Sequence, residues 1–340
     1  MRAHMIRRVA VTGVAGAVVL GAAGAANAAE QQQNVELRLA YVTTSQHPYG
    51  VAVDYFAREV RRLSNGRITI TTRPSYPQAE PNLLADVRAG TFEMATISTA
   101  IWDGAGINSF QALQAPFLVN GYALERQIIA GPTGRRMAAA ATRQARNVVV
   151  LAIAEGGLRK PVATRPLTSI SAFRGASIRA PQSRVLETGL RAIGAEPDPI
   201  PLPEVYNSLK NGTVTGMEAN LGLIATNKFY EVARYVTGNV NFWPFPHALT
   251  INRETWNRLS RQDQTVLRRA AARVPAYSIG VVSAPSQLPQ QLVNCGVRFV
   301  NASPRELRRF ESRGRTAYAV LSRRDATTGR FIREIQAIKK

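Results

Sequence analysis

The residues that usually carry catalysis are scarce in this chain of 340. Its histidines are His4, His47 and His247, and its one cysteine is Cys295. A metal site drawn from His47, His247 and Cys295 would lack the short ligand spacing that zinc sites use, and a lone thiol forms no disulfide within one chain. No Gly-x-Ser-x-Gly elbow and no phosphate-cradling P-loop occurs, and Gly104-Ala105-Gly106 is too short for a dinucleotide fingerprint, so it reads as a loop. Glu204 and Glu218 are carboxylates of the kind that acid–base chemistry employs, but Glu204 lies beside Pro203 and Tyr206 and reads as a helix-start acid. These residues specify no reaction, and the chain is expected not to be an enzyme. Arginine is the abundant polar chemistry: 38 arginines stand against five lysines. Most of them should be surface charge.

The net charge of +21 raises the question of a nucleic-acid or acidic-membrane partner. Its distribution answers differently. Residues 1–28 run from basic (Arg2, Arg7, Arg8) through apolar (Val9 to Gly24) to Ala26-Asn27-Ala28, which is a signal-peptide pattern with cleavage expected after Ala28. The apolar run is short for a spanning helix, and the alternative of a retained anchor lacks a stop-transfer pattern. Cleavage removes three arginines and no acidic residue, which lowers the charge to +18. Residues 301–340 hold eleven Lys/Arg and four Asp/Glu. Leu307, Phe310, Tyr318 and Leu321 give that segment an apolar stripe, so a docked amphipathic helix is expected rather than a free basic tail.

A hydrophobic content of 45 % in a chain this long predicts about two folded domains. After a spacer at 29–35, the periodicity predicts a strand over 36–42, a helix over 51–63 stopped by Asn65-Gly66, a strand over 67–72, a helix over 81–89 and a strand over 92–97. That order predicts an α/β domain with a largely parallel sheet. Helices over 121–129 and 133–145 lead into Val148 to Ile153, an apolar strand buried on both faces. A second α/β pattern follows: strand 176–180, helix 185–193, extended 196–200, helix 204–210, strand 214–218 and strand 235–237. Residues 248–252 read as a strand, and the remainder is helix-rich, with caps at Ser260 to Asp263 and Ser303 to Glu306.

One family resemblance covers nearly all of the mature chain. It rests on Gly157-Leu158-Arg159, Phe173-Arg174-Gly175-Ala176-Ser177-Ile178-Arg179-Ala180-Pro181, Gly194-Ala195-x-Pro197, and Pro203-Glu204-Val205-Tyr206 running on to Gly216-x-Glu218. Upstream, His47-Pro48, Phe56-Ala57-x-Glu59-Val60, Ser64-x-Gly66-Arg67-Ile68 and Gly90-x-Phe92-Glu93 fit as well, and so does Trp256-x-x-Leu259 downstream. The chain resembles the DctP-type solute-binding proteins of TRAP transporters. The resemblance implies an α/β, two-lobed, periplasmic-binding-protein-like fold with crossing strands between lobes and a helical C-terminal segment. The implied lobes are 36–155 plus about 247–283, and 156–246 plus about 284–340.

The resemblance also implies site residues. Arg179 falls where the family bonds the solute's carboxylate in two prongs, which suits the planar fork of a guanidinium. Arg159 corresponds to a second arginine of part of the family and touches the same carboxylate or another polar group. Gln182 is placed to donate an amide. Glu218 is expected to hold the strand-to-helix turn, and Ala219 with Asn220 replaces a ligand-binding asparagine, which leaves Asn220 as the candidate. Ser98 stands where sugar-acid binders carry an acid, and Leu202 where an aromatic packs on the solute. Phe242, Trp243 and His247 either line the cleft or pack in the core, with Trp243 taken as a candidate contact.

The pocket therefore looks less polar than that of sugar-acid binders, which points to a smaller or more apolar mono- or dicarboxylate. The implied protein is an exported, periplasmic monomer without cofactor or nucleic-acid partner, serving small and large membrane permease subunits. Two alternatives remain open at this point: a ligand-sensing binding protein for a membrane receptor, and a secreted basic polyanion-binding protein.

Overall fold

The computed structural model describes residues 34–339; the signal-peptide reading of 1–28 and most of the spacer fall outside the described residues. In the first half, β1 (Val35–Ala40) leads to α1 (Pro48–Leu63), β2 (Ile68–Arg73), α2 (Glu80–Ala89), β3 (Met94–Ser98), α3 (Tyr122–Ile129), α4 (Pro132–Ala145) and β4 (Val148–Glu155). The His47 side chain caps α1 by accepting from the Tyr49 N–H, and Pro48 sets the first helical φ. Val53, Phe56 and Val60 bury its inner face, and Asn65 and Gly66 end it with φ of 53° and 84°. Seven of the eight residues of β4 are buried, as an unbroken apolar run requires.

The second half holds β5 (Lys160–Ala163), α5 (Ile170–Phe173), β6 (Ser177–Ala180), α6 (Arg184–Ala192), β7 (Glu196–Pro199), α7 (Val205–Lys210), β8 (Gly216–Ala219), α8 (Leu221–Thr226) and β9 (Tyr235–Thr237). The chain then returns through β10 (Pro246–Asn252). There follow α9 (Arg253–Arg258), α10 (Arg261–Ala271), α11 (Val274–Ser283), α12 (Leu288–Asn294), β11 (Arg298–Val300), α13 (Pro304–Arg324) and α14 (Ala326–Lys339). Strands β5 and β11 are new to the reading; four and three residues are too few to show a period, and Pro161 masks the first.

Two sheets result, with strand orders β2-β1-β3-β10-β4 and β11-β9-β5-β8-β6-β7. Both are largely parallel, as the element order predicts, with one reversed strand in each. β10 runs antiparallel to β3 and β4, and β5 antiparallel to β8 and β9; these are the two strands that directly follow the crossing segments. The two crossing segments are bound to each other. Arg159 N–H donates to Trp243 O at 2.8 Å, Phe242 N–H to Arg159 O at 2.9 Å, and Gly156 N–H to Phe245 O at 3.1 Å. Glu155 Oε1 accepts from the N–H groups of Gly157 and Phe245, one on each crossing. Such a ribbon makes two of the three connections between the α/β lobes without a long loop, and the third is the helical run from β10 to β11.

The basic C-terminal segment docks as its stripe predicts. In α13, Phe310, Gly314, Ala317 and Leu321 are buried at helical spacing, and Ser303 caps it by accepting from Glu306 N–H. Gly314 is required by close approach, since a Cβ there would lie 2.4 Å from the Phe117 ring. Tyr318 donates to Pro116 O at 2.7 Å, and α14 lies over α3 and the 3-10 turn Gln111–Gln114. One hydrophobic core thereby runs from Leu83 and Trp102 through Phe117 and Phe242 to Phe173 and Phe310. Among the described residues no helix is long and apolar enough to cross a membrane.

Candidate functional site

A cleft of about 650 Å³, its solvent-open mouth included, lies between the two sheets. Val42, Thr43, Ala79, Glu80 and Pro81 come from the side of the first sheet, Arg179, Gln182 and Leu202 from the side of the second, and Arg159 and Phe245 from the crossing segments. Strand β6 sets Arg179 in register with Asp198 of β7 and Met217 of β8, and its side chain is 3 % exposed. Its Nε donates to Ile200 O at 2.8 Å. Arg179 lines the cleft, and neither Nη group bonds to the protein among the described residues. Burial pushes the Arg179 pKa down to about 10, with nearby Glu218 and Glu80 opposing and Arg159 adding to the fall. Arg179 remains a cation at neutral pH.

Arg159 is handled differently. Its Nε and Nη2 grip the carboxylate of Glu218, and Nη2 also donates to Glu218 O at 2.6 Å. Trp243 Nε1 donates to the same carboxylate at 3.2 Å, so Glu218 is fully engaged behind the cleft wall. The guanidinium lies 4.1 Å over the Phe245 ring, and its Nη1 is buried with no partner. The site thus offers three unengaged N–H-bearing nitrogens on two buried cations. A planar carboxylate is the ligand that such forks match.

The other candidates are distributed around this pair. Gln182 and Leu202 line the cleft. Asn220 does not; it caps α8, its Oδ1 accepting from Leu223 N–H at 2.7 Å. The same oxygen lies 3.2 Å from His47 Nε2, which carries the proton because Nδ1 accepts from Tyr49 N–H. His47 is buried, its pKa pushed down to about 3, and it ties the start of α1 to the start of α8. The strand-to-helix turn expected of Glu218 is therefore held by Asn220, while Glu218 serves as the counter-ion of Arg159. Ser98 is wholly buried beneath the cleft floor, and Trp243 and Phe242 pack in the interior, Phe242 against Phe117 and Phe173. Among the described residues the aromatics that line the cleft are Phe245 and Tyr76. Cys295 is exposed after α12.

One functional group escaped the sequence reading. Glu80 opens α2, and that helix had been read from Pro81. Glu80 Oε1 accepts from Ser98 N–H at 2.6 Å and lies 3.5 Å from Nε2 of buried His247. Burial raises the Glu80 pKa to about 7, against the Ser98 N–H, Arg179 and Arg159, which lower it. An acidic residue before a proline at a helix start was the available signal. Across the same wall, the buried Thr43 hydroxyl has no hydrogen-bond partner.

Residues 39–324 match the family model described as bacterial extracellular solute-binding protein, family 7 (DctP). The solute-binding protein RD1_1052 of Roseobacter denitrificans is 29 % identical over 269 residues, covering 78 % of this chain and 81 % of that one. Its crystal structure with bound L-galactonate superposes with a TM-score of 0.78 at 25 % identity, over 91 % and 99 % of the two chains. The C4-dicarboxylate-binding periplasmic protein DctP of Rhodobacter capsulatus is 25 % identical over 248 residues, 73 % of this chain and 74 % of that one. A TRAP periplasmic solute-binding protein of Polaromonas sp. JS666, bound to D-erythronate, gives a TM-score of 0.82 at 24 % identity, over 90 % and 99 % of the chains. Its buried cations, two joined sheets and sequence all agree: the chain belongs to bacterial extracellular solute-binding protein family 7, the DctP family of TRAP-transporter solute receptors, which are not enzymes.

Proposed function

We propose that this TRAP-type receptor captures an organic acid anion by a two-pronged salt bridge to Arg179, with Arg159 Nη1 as a further donor. The observation that carries this reading is the set of unengaged Nη groups on two buried arginines at one cleft wall. Charge-assisted hydrogen bonds of this kind contribute about 1.5–3 kcal/mol each. The acids named for the relatives, an aldonate, a tetronate and C4-dicarboxylates, share a carboxylate as their common handle. Prolines 181, 201 and 203 with Leu202 and Ile101 make the remaining walls apolar, in keeping with a small organic acid.

In this reading the protein is exported, loses residues 1–28, acts as a monomer without cofactor, and delivers its solute to the small and large permease subunits. Its lobes are 36–155 with about 247–283, and 156–246 with about 284–340. The paired crossings are the hinge. A solute touching Glu80, Thr43 and Arg179 together would bind both lobes and favour the closed form. The test is calorimetric titration with a carboxylate panel, beside mass spectrometry of any co-purifying solute. Arg179→Ala should weaken binding roughly 10- to 100-fold or more, as the loss of one to two such bonds implies. An undiminished affinity in that variant, or no carboxylate bound at all, refutes the proposal.

A further inference from the structure

Resting on the carboxylate reading above, we propose that Glu80 makes the cleft selective for a monoanion that carries a hydroxyl donor, and turns away acids with a second anionic group. Glu80, Arg159 and Arg179 are the charged side chains that line the cleft. Glu218 neutralises Arg159, and the ligand carboxylate would neutralise Arg179. Among the described residues no further cation lines the cleft to meet a second carboxylate or a phosphate. What faces it is Glu80.

The Glu80 side chain cannot swing away freely. Its Oε1 is fixed by the Ser98 N–H at 2.6 Å, in a wall of Ala79, Pro81 and Ile101. Oε2 makes no hydrogen bond among the described residues. An acceptor oxygen left open in a partly dry cleft rewards a hydroxyl hydrogen and penalises another anion, since like charges gain little shielding there. The unpartnered Thr43 hydroxyl on the same wall serves the same hydroxyl as acceptor or donor. Neutral His247, 3.5 Å from Oε1, is held uncharged by burial and supplies no positive charge to offset Glu80.

The groups around Glu80 also set a direction with pH. Arg179 stays charged throughout the neutral range and His247 stays neutral. Glu80, with a pKa near 7, loses its proton between pH 6.5 and 8.5. Rejection of the second anionic group should therefore strengthen as pH rises.

The experiment compares matched acids of equal chain length, a hydroxy-monocarboxylate against the corresponding dicarboxylate, by calorimetric titration at pH 6.5 and 8.5. Wild-type protein should prefer the hydroxy acid, by about tenfold more at pH 8.5 than at pH 6.5. Glu80→Gln keeps the acceptor for Ser98 N–H but removes the charge, and should narrow the preference at least tenfold at pH 8.5 and flatten its pH dependence. A preference that is the same in Glu80→Gln and wild type, or a wild-type preference that does not move with pH, overturns the inference while leaving Arg179-dependent binding intact. Should the variant fail to fold, the wild-type pH series alone decides. Failure of wild-type protein to bind either acid, or binding indifferent to Arg179→Ala, overturns the carboxylate reading itself and this inference with it.

Discussion

Ionisable side chains on the two walls of the cleft are stabilised in opposite ways. On the second-sheet side, charge is met by charge: Arg159, Glu218 and Trp243 form one bonded group, and Arg179 is anchored at Nε. On the first-sheet side, His47 and His247 are buried and Glu80 half-buried, and desolvation drives each toward its neutral form. Glu125 and Glu155, near the crossings, follow the second pattern, since burial raises both; Glu155 adds to the rise at Glu125, while the hydrogen bond from Glu125 and three backbone N–H groups hold Glu155 back. This contrast accounts for the cationic character of the site. A guanidinium keeps its proton even when desolvated, whereas histidine and glutamate give up their charge under the same penalty.

That contrast can be broken at its strongest point first. Glu218→Ala leaves the Arg159 charge buried without its counter-ion, and should cost about 3–5 kcal/mol of stability in denaturant titration, whereas loss of the whole pair to apolar residues should cost far less. Acid is the second lever. His47 has a folded pKa near 3 against about 6.5 unfolded, so the unfolded chain binds the extra proton; stability should fall as pH drops from 6.5 toward 3, by up to about 1.4 kcal/mol per unit. His47→Gln should flatten that limb of a melting-temperature profile. The buried acids work in the other direction. Glu125 and Glu155 hold protons in the fold that the unfolded chain releases near 4.5, so their contribution is present in acid and declines as pH rises; Glu125→Gln should raise stability at pH 8 more than at pH 4. The smallest effect is expected at Asn220→Ala, which removes the α8 cap and should cost about 0.5–2 kcal/mol, with carboxylate affinity little changed. A large loss of affinity there would move Asn220 from scaffold to ligand contact.

Much of the fold was legible because it is local. The stripe of α1, the stop at Asn65-Gly66, the serine caps at 260 and 303 and the apolar run of β4 are each read within a dozen residues, and each forms as read. Errors cluster where the signal is short or the partner remote. β5 and β11 carry no period, and the antiparallel entry of β10 depends on which strands it lies between. The site was legible in part. Arg179 and Arg159 were singled out by motif, but Trp243 supports Glu218 instead of facing the cleft, a role taken by Phe245. Glu80 lay one residue outside the helix as read.

Most elements and their order were set by sequence alone, β5 and β11 excepted, and motif pointed to the family and to two arginines, because backbone preference and amphipathic period are set by neighbouring residues. Only the tertiary structure decided which groups meet: Arg159 with Glu218 across 59 residues, His47 with Asn220 across 173, and Glu80 with the arginines at one cleft. Those encounters follow from how the buried faces of two sheets pack and how the chain crosses three times between them. Whether a carboxyl or imidazole keeps its charge depends on the water that packing excludes.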